Sequence, residues 1–340
     1  FPYLIGLLLF NQTTGPVKIS PKEPMYIWYQ ETKYDGEVSS KEECVMALNT
    51  GYIAPQTREQ RWQEMLTKVL NQANALDIKG KERLKQIILK HKTRFGLKDE
   101  PPGLIPNYTV DVELLDKEPI HVNQYRLPTS VQEEVQEQTD ALVKFGVVKE
   151  SKSRWNFAII PVPKKIIDNE GLEKTAIRPC MDCRPINVPT RTKACFFSIP
   201  TVESTLSSLQ GSAFFSSLDI IHGFFHVALN PEHCEYLAYT THRGHYEYNR
   251  MPFGWINSPY KFQQATQTKI ANIHPRYSQV YIDDVMIHSK HEEDHFQHID
   301  KILETIEYEN IILKLAKCAF FQTEIEYLGH LVSKDSIRKH

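Results

Sequence analysis

An α+β architecture is expected for this chain on three observations. Apolar runs of strand length and segments of helical spacing are interleaved, without the regular strand–helix–strand alternation of a doubly wound sheet. The composition, 41% hydrophobic and 24% charged, is that of a folded domain rather than a disordered, collagen-like or membrane-bundle chain. The length, 340 residues, allows two or three compact units with real cores. Six unevenly spaced cysteines make no disulfide scaffold and point to a reducing compartment.

Residues 1–60 are mixed and weakly periodic, and no chemistry is assigned to them. The run Phe1–Phe10 is apolar but too short to cross a bilayer, which needs ~20 residues. It lacks the basic flank and small-residue cleavage site of a signal peptide, so it reads as a core element cut from a longer polyprotein. The C-terminal end also reads as a fragment edge. Over residues 62–95 two helices are expected. Trp62, Met65, Leu66, Val69 and Leu70 carry the first, and Leu84, Ile87, Ile88 and Phe95 the second, with Gly96 as its stop. A loop with Pro101, Pro102, Gly103 and Pro106 marks a boundary.

The next helix is expected to start at Ser130, with Ser130 and Glu133 as a capping box, and to end at Gly146. Residues 157–163 and 175–181 read as strands joined by a polar hairpin. Ser258 opens another helix with Pro259 in its first turn. Phe296, Ile299, Ile302, Leu303 and Ile306 define a last long helix over 294–309. His288, His291, His295 and His298 near its start are expected on a solvated face. Cys180 and Cys183 supply half of a zinc site and have no second pair at suitable spacing. No G-x-x-x-x-G-K stretch occurs, which excludes a P-loop NTPase.

The net charge of −2 hides an asymmetry. Residues 144–200 hold 11 Lys and Arg against 5 Asp and Glu, whereas residues 201–340 hold 12 against 17. A basic segment precedes an acidic one, so near-neutrality does not exclude a nucleic-acid partner.

Three carboxylates concentrate the chemistry. Phe214–Asp219 reads as a strand ending in an acid. Val280–Ile287 reads as two strand-forming flanks around Asp283 and Asp284, a hairpin with the acidic pair at its turn. Adjacent carboxylates repel, which raises their pKa values unless a cation is present. Mg²⁺ prefers oxygen ligands. Two such ions ~3.5–4 Å apart can clamp the attacking and leaving oxygens of a phosphoryl displacement. A solvated Asp-Asp turn is the plain alternative.

Six further stretches occur in order. They are Phe215-Ser216-Ser217-Leu218-Asp219-Ile220-Ile221-His222-Gly223-Phe224, Gly244-His245-Tyr246-Glu247-Tyr248, Met251-Pro252-Phe253-Gly254-Trp255-Ile256-Asn257-Ser258-Pro259, Phe262-Gln263, Tyr281-Ile282-Asp283-Asp284 and Glu326-Tyr327-Leu328-Gly329-His330. Upstream stand Arg178, Cys180, Asp182, Arg184 and Asn187. The series resembles the reverse transcriptase of gypsy-type LTR retrotransposon Pol polyproteins, over about residues 113–337. The stretch between Lys165 and Arg178 is longer than is usual in that family. Cys183 and His222 replace its usual residues, and Trp155-Asn156-Phe157 lacks its usual proline.

The resemblance implies the fingers and palm of a right-hand polymerase over 113–337. It would follow a helical linker at 61–112 and an unassigned segment at 1–60, with the thumb absent or truncated. It implies an RNA-directed DNA polymerase that adds dNTPs to a primer 3′ end. Asp219, Asp283 and Asp284 would be its catalytic and metal-binding carboxylates, holding two Mg²⁺ ions, or Mn²⁺. Arg178 and Lys164 or Lys165 would bind the triphosphate. Phe224 would be the aromatic gate against a 2′-hydroxyl, with Phe253 beside the nucleotide. Tyr281, Ile282, Leu328, Gly329 and His330 would meet the primer. The implied partners are an RNA or DNA template with primer, and the protease, RNase H and integrase parts of a Pol polyprotein. No membrane is implied, and the expected place is the cytoplasm, within virus-like particles. The alternatives are a retroelement remnant that binds nucleic acid without polymerising and an RNA-dependent RNA polymerase, against which Phe224 argues.

Overall fold

The structure is a computed structural model that describes residues 57–97, 100–167 and 173–339. The expectations for Phe1–Phe10 and for residues 1–56 lie outside them. The chain divides into two units, residues 1–61 and 62–340. Of the first, only residues 57–61 are described, at the start of a helix.

Two helices open the described chain, α1 (Arg58–Gln72) and α2 (Ile78–Lys90). Asp77 caps α2, its side chain accepting from the Gly80 N–H at 2.7 Å. Trp62, Leu66, Val69, Leu84 and Ile88 bury the apolar stripes read from the sequence. The expectation that Gly96 stops α2 is corrected. The helix ends at Lys90, and Phe95–Gly96 instead pairs in parallel with Leu313–Lys314. Gly96 serves that close approach, since a Cβ there would stand 2.6 Å from Ile312.

Helix α3 spans Thr129–Lys144. Its capping position is held by Pro128, and no side-chain cap forms, so the expected box of Ser130 and Glu133 is also corrected. Ser130 already lies inside the first turn, two residues past the capping position. Val148–Glu150 (β1) follows. A long antiparallel hairpin comes next, β2 (Ile159–Ile167) against β3 (Glu173–Met181). α3 fastens this hairpin by polar contacts: Gln138 donates to the Ile177 carbonyl at 3.0 Å and Glu134 accepts from the Ile177 N–H at 2.9 Å. β1 completes a second antiparallel sheet with His245–Tyr248 and Ala238–Thr240.

Helix α4 (Val202–Ser207) leads into β4 (Phe214–Asp219). Later come α5 (Ser258–Thr266), with Pro259 in its first turn, and a single π turn at Gln267–Ala271. They are followed by β5 (Ser278–Tyr281), β6 (Asp284–Ser289), α6 (Glu292–Tyr308) and β7 (Ala319–Gln322). The order β5-β6-β4-β7 makes an antiparallel four-stranded sheet. Because side chains alternate along a strand, its two faces have different partners. Leu218, Val285 and Ile287 join the main core, against which Phe296, Ile299, Ile302 and Leu303 of α6 pack. Phe215 and Met286 face a smaller core built with Leu206, Ile325, Tyr327 and Val332. That second core lies between the sheet and a three-stranded meander, β8 (Glu324–Tyr327), β9 (His330–Ser333) and β10 (Ile337–Lys339). No helix among the described residues is long and apolar enough to cross a membrane.

The histidines near α6 depart from expectation. His295 is wholly buried and His288 nearly so; only His291 stays on an exposed face. His295 bridges Ser216 and Ser289 at 2.8 Å each, and Ser289 also meets His298 Nδ1 at 2.7 Å. The His298 ring stacks on Tyr277 at 3.7 Å. The period of α6 turns His295 inward beside Phe296 and Ile299, and serines on the sheet satisfy its nitrogens.

Burial pushes His295 down to about 3 and His288 down to about 4, helped by the charges of neighbouring histidines. In the unfolded chain both would take up protons from pH ~6.5. Their contribution to stability is therefore complete above that pH and is lost as pH falls toward the folded values. The thermal midpoint should drop on acidification from pH 7.5 to 5. His295→Gln should flatten that slope while lowering the midpoint at pH 7.5, as scanning calorimetry across pH would show.

Candidate active site

Asp219 is the last residue of β4 and Asp284 the first of β6, and the register places them directly opposite each other. They share the sheet face of Phe215 and Met286, away from α6. Tyr281 pairs with Asp284, so the hairpin turn consists of Ile282 and Asp283. The acidic pair therefore spans the turn and the first strand residue. The Ile220 N–H donates to the Asp283 carbonyl at 3.0 Å, which ties this turn to the end of β4.

The turn is strained. Ile282 has φ +57°, a left-handed conformation that a β-branched residue rarely takes, at a cost of ~1–3 kcal/mol. A fully buried side chain offsets it. Gln263 accepts from the Ile282 N–H at 2.6 Å and donates to the Val280 carbonyl at 2.9 Å. Two such bonds, at ~1 kcal/mol each net, are enough to hold the turn. Phe262 and Gln263 were legible as a motif, but this function of Gln263 was not.

Burial and the mutual repulsion of the carboxylates set the electrostatics. Asp284 is pushed up to about 6 by burial, then by Asp283 and Asp219. Partial burial and Asp219 raise Asp283 as well, although solvent reaches that residue. Lys317 works against both shifts. Its Nζ lies 3.1 Å from Asp219 Oδ2. Nothing in the sequence marked Lys317, because its pairing with Asp219 spans 98 positions.

The carboxylate oxygens do not close on one point. Among the described residues, the one trio of ligand atoms all within 4.8 Å belongs to His91, Asp300 and Glu304. That trio already holds an internal cation: Lys90 sits 2.9 Å from both Asp300 and Glu304. The three aspartates are the better fit for a hard divalent cation. They offer only oxygen donors, and burial together with neighbouring carboxylates raises Asp283 and Asp284.

Beside the aspartates lies an aromatic group. Phe224 sits on a 3₁₀ turn, Gly223–His226. Its ring is 4.8 Å from Phe253 and edge-on to Phe262 at 5.6 Å. His226 anchors the turn. Its Nε2 accepts from the N–H groups of Gly103 and Ile312, at 3.1 and 3.0 Å, and its Nδ1 donates to the Gly223 carbonyl at 3.2 Å. Burial lowers His226 to about 3, so the ring is neutral in that tautomer. Phe253 is held from the other side. Asn187 donates to the Gly254 carbonyl at 2.7 Å and accepts from the Ile256 N–H at 2.9 Å. Gly254 has φ +97°, and a Cβ there would meet the Met181 carbonyl at 3.1 Å.

Lys164, Lys165 and Arg178 stand on the β2–β3 hairpin, in a different sheet from the aspartates. Arg178 pairs with Val162 and Lys164 with Ala176, so Lys164 shares a face with Arg178 and Lys165 points to the other face. Asp182 and Arg184 form a two-pronged ion pair at 2.7 Å per contact, which holds the Asp182 carboxyl below its usual range. Leu328 and Gly329 form the turn between β8 and β9, both with positive φ. His330 Nδ1 donates to the Leu328 carbonyl at 3.0 Å, and Tyr281 packs against the same small core as Leu328.

A family model described as reverse transcriptase (RNA-dependent DNA polymerase) matches residues 162–332. The Pol polyprotein of transposon 412 from Drosophila melanogaster is 30% identical over 250 residues, covering 74% of this chain and 20% of the relative. That of transposon 297 is 32% identical over 223 residues, 65% of this chain and 20% of the relative. The Tf2-3 polyprotein of Schizosaccharomyces pombe is 28% identical over 68% of this chain and 17% of its own length. The chain thus spans about a fifth of the relatives it matches. A foamy viral protease-reverse transcriptase in complex with double-stranded DNA shares the fold, with a TM-score of 0.69 and 22% identity over 85% of this chain and 50% of that one. With half of its length matched by that model, and a fingers-and-palm fold built around the three aspartates, the chain belongs to the reverse transcriptases of gypsy-type Pol polyproteins.

Proposed function

We propose that this domain extends a primer 3′ end with dNTPs on a nucleic-acid template by metal-assisted phosphoryl transfer. The observation that carries the proposal is the direct opposition of Asp219 and Asp284 at the sheet end, with Asp283 in the adjoining turn. Asp219, Asp283 and Asp284 would hold Mg²⁺, or Mn²⁺. When bound, the cations supply Lewis-acid stabilisation of the attacking and leaving oxygens.

The remaining roles belong to the side chains. Arg178 and Lys164 bind the triphosphate from one face of the fingers hairpin, the planar guanidinium gripping two oxygens and the ammonium acting as a point charge. Phe224 presses on the sugar and leaves no space for a 2′-hydroxyl, while Phe253 supports its ring. Ile282, Tyr281 and the Leu328–Gly329–His330 turn position the primer. The template-primer duplex and the protease, RNase H and integrase parts of a Pol polyprotein are the proposed partners. The proposed place of action is a cytoplasmic virus-like particle.

Primer extension with purified protein, Mg²⁺, a primed RNA template and dNTPs tests the reading. Asp283→Asn should lower extension by at least ~100-fold, since it removes charge stabilisation at the reacting centre. Persistence of activity in this variant would refute the metal assignment. Salt-sensitive template binding with no extension by the unaltered protein would point to a binding remnant instead.

Phe224→Ala should reduce discrimination against ribonucleotides by at least ~10-fold, the range of a steric pocket. Phe253→Ala should do so more weakly, by unpacking the Phe224 ring. Competition between dNTPs and rNTPs measures both.

Lys164→Ala should raise the KM for dNTPs about tenfold, in line with the loss of one charge-assisted contact. Lys165→Ala should leave it within about twofold. Equal effects would remove the face assignment.

A further inference from the structure

Lys317 is the one feature of the site that neither the motifs nor the proposed chemistry accounts for. It ends a 3₁₀ turn, Leu315–Lys317, just before β7. The backbone there is anchored: Leu315 and Cys318 are buried, and the Cys318 thiol donates to the Lys314 carbonyl at 3.4 Å. The Lys317 side chain is 58% exposed, while Asp219 is 15% exposed. The ammonium can therefore swing away on its four-carbon stem without disturbing the fold.

The ammonium lies 3.1 Å from Oδ2 of Asp219, the strand residue directly opposite Asp284. A divalent cation at Asp219 would compete with Lys317 for that carboxylate and would feel the positive charge beside it.

We propose that Lys317 is a displaceable counter-ion: it holds Asp219 when no metal is bound and must leave that oxygen when a divalent cation enters. The metal affinity of the site is then a competition between an internal ammonium and an external cation. This rests on Asp219 being a metal ligand, as proposed above. Replacing the lysine exchanges stability of the empty site for affinity of the filled one. An exposed ion pair contributes little to stability, and one unit charge a few ångströms away changes an affinity by about fivefold even in water.

Mn²⁺ binding to the intact chain, followed by the electron paramagnetic resonance of free Mn²⁺ without nucleotide, tests the idea. Lys317→Met should bind the first Mn²⁺ about fivefold or more tightly than the unaltered chain. Lys317→Arg should stay within about twofold of it, and Asp219→Asn should bind more weakly. The Mn²⁺-free Lys317→Met protein should also melt lower, and Mn²⁺ should raise its midpoint by more. Lys317→Gln provides a second neutral variant should Lys317→Met not fold. Equal or weaker binding by the neutral variants, with Asp219→Asn still impaired, would overturn the counter-ion role and leave the metal site standing. Unimpaired binding by Asp219→Asn, or none by the unaltered chain, would overturn both.

Discussion

Two carboxylates forced to face each other across neighbouring strands are the constraint around which this structure is organised. Like charges directly opposite in a sheet are unfavourable. The register of β4 and β6 nonetheless imposes that position on Asp219 and Asp284. The strands cannot slip to relieve it. A shift by one residue would turn Leu218, Val285 and Ile287 out of one core and Phe215 and Met286 out of the other. Hydrophobic burial on both faces of the sheet thus holds an electrostatic conflict at its end. Burial first, then the charges of Asp283 and Asp219, raise Asp284 there.

The supports of the site are neutral and hydrogen-bonded, and Gln263 and His226 are fully buried. Gln263 holds the strained Ile282 turn, His226 holds the turn that carries Phe224, and Asn187 holds the loop that carries Phe253. Each joins separate segments of the chain through two or more backbone groups, and losing Gln263 or His226 would leave buried donors or acceptors unpaired. The ion pairs between α2 and α6 are a different kind of contact. Arg83 with Glu293 and Lys90 with Glu304 are largely exposed, and such pairs contribute only ~0–1 kcal/mol each. Rigidity is concentrated where the chemistry requires it, and the helical periphery is held chiefly by apolar packing.

Local patterns in the sequence translated into structure where burial had a clear period. The stripe of Phe296, Ile299, Ile302, Leu303 and Ile306 became α6 within two residues of the expected limits. The alternation around Asp219 and the Asp283–Asp284 pair became a strand and a hairpin. Legibility failed where a distant partner decided the outcome. Gly96 left the helical pattern because Leu313–Lys314 offered it a parallel strand. His295 went inside because Ser216 and Ser289 could satisfy both of its nitrogens. Ser130 did not cap α3 because the capping position falls two residues earlier, at Pro128.

By itself the sequence determined the α+β class, the order of the elements and the identity of the acidic and aromatic residues. These follow from apolar periodicity and residue chemistry, which are local properties. Tertiary structure decided that Asp219 faces Asp284, that Lys164 rather than Lys165 shares the face of Arg178, and that Lys317 stands on Asp219. Register, strand face and long-range charge pairing depend on how distant segments pack, and a linear pattern carries no coordinate for that.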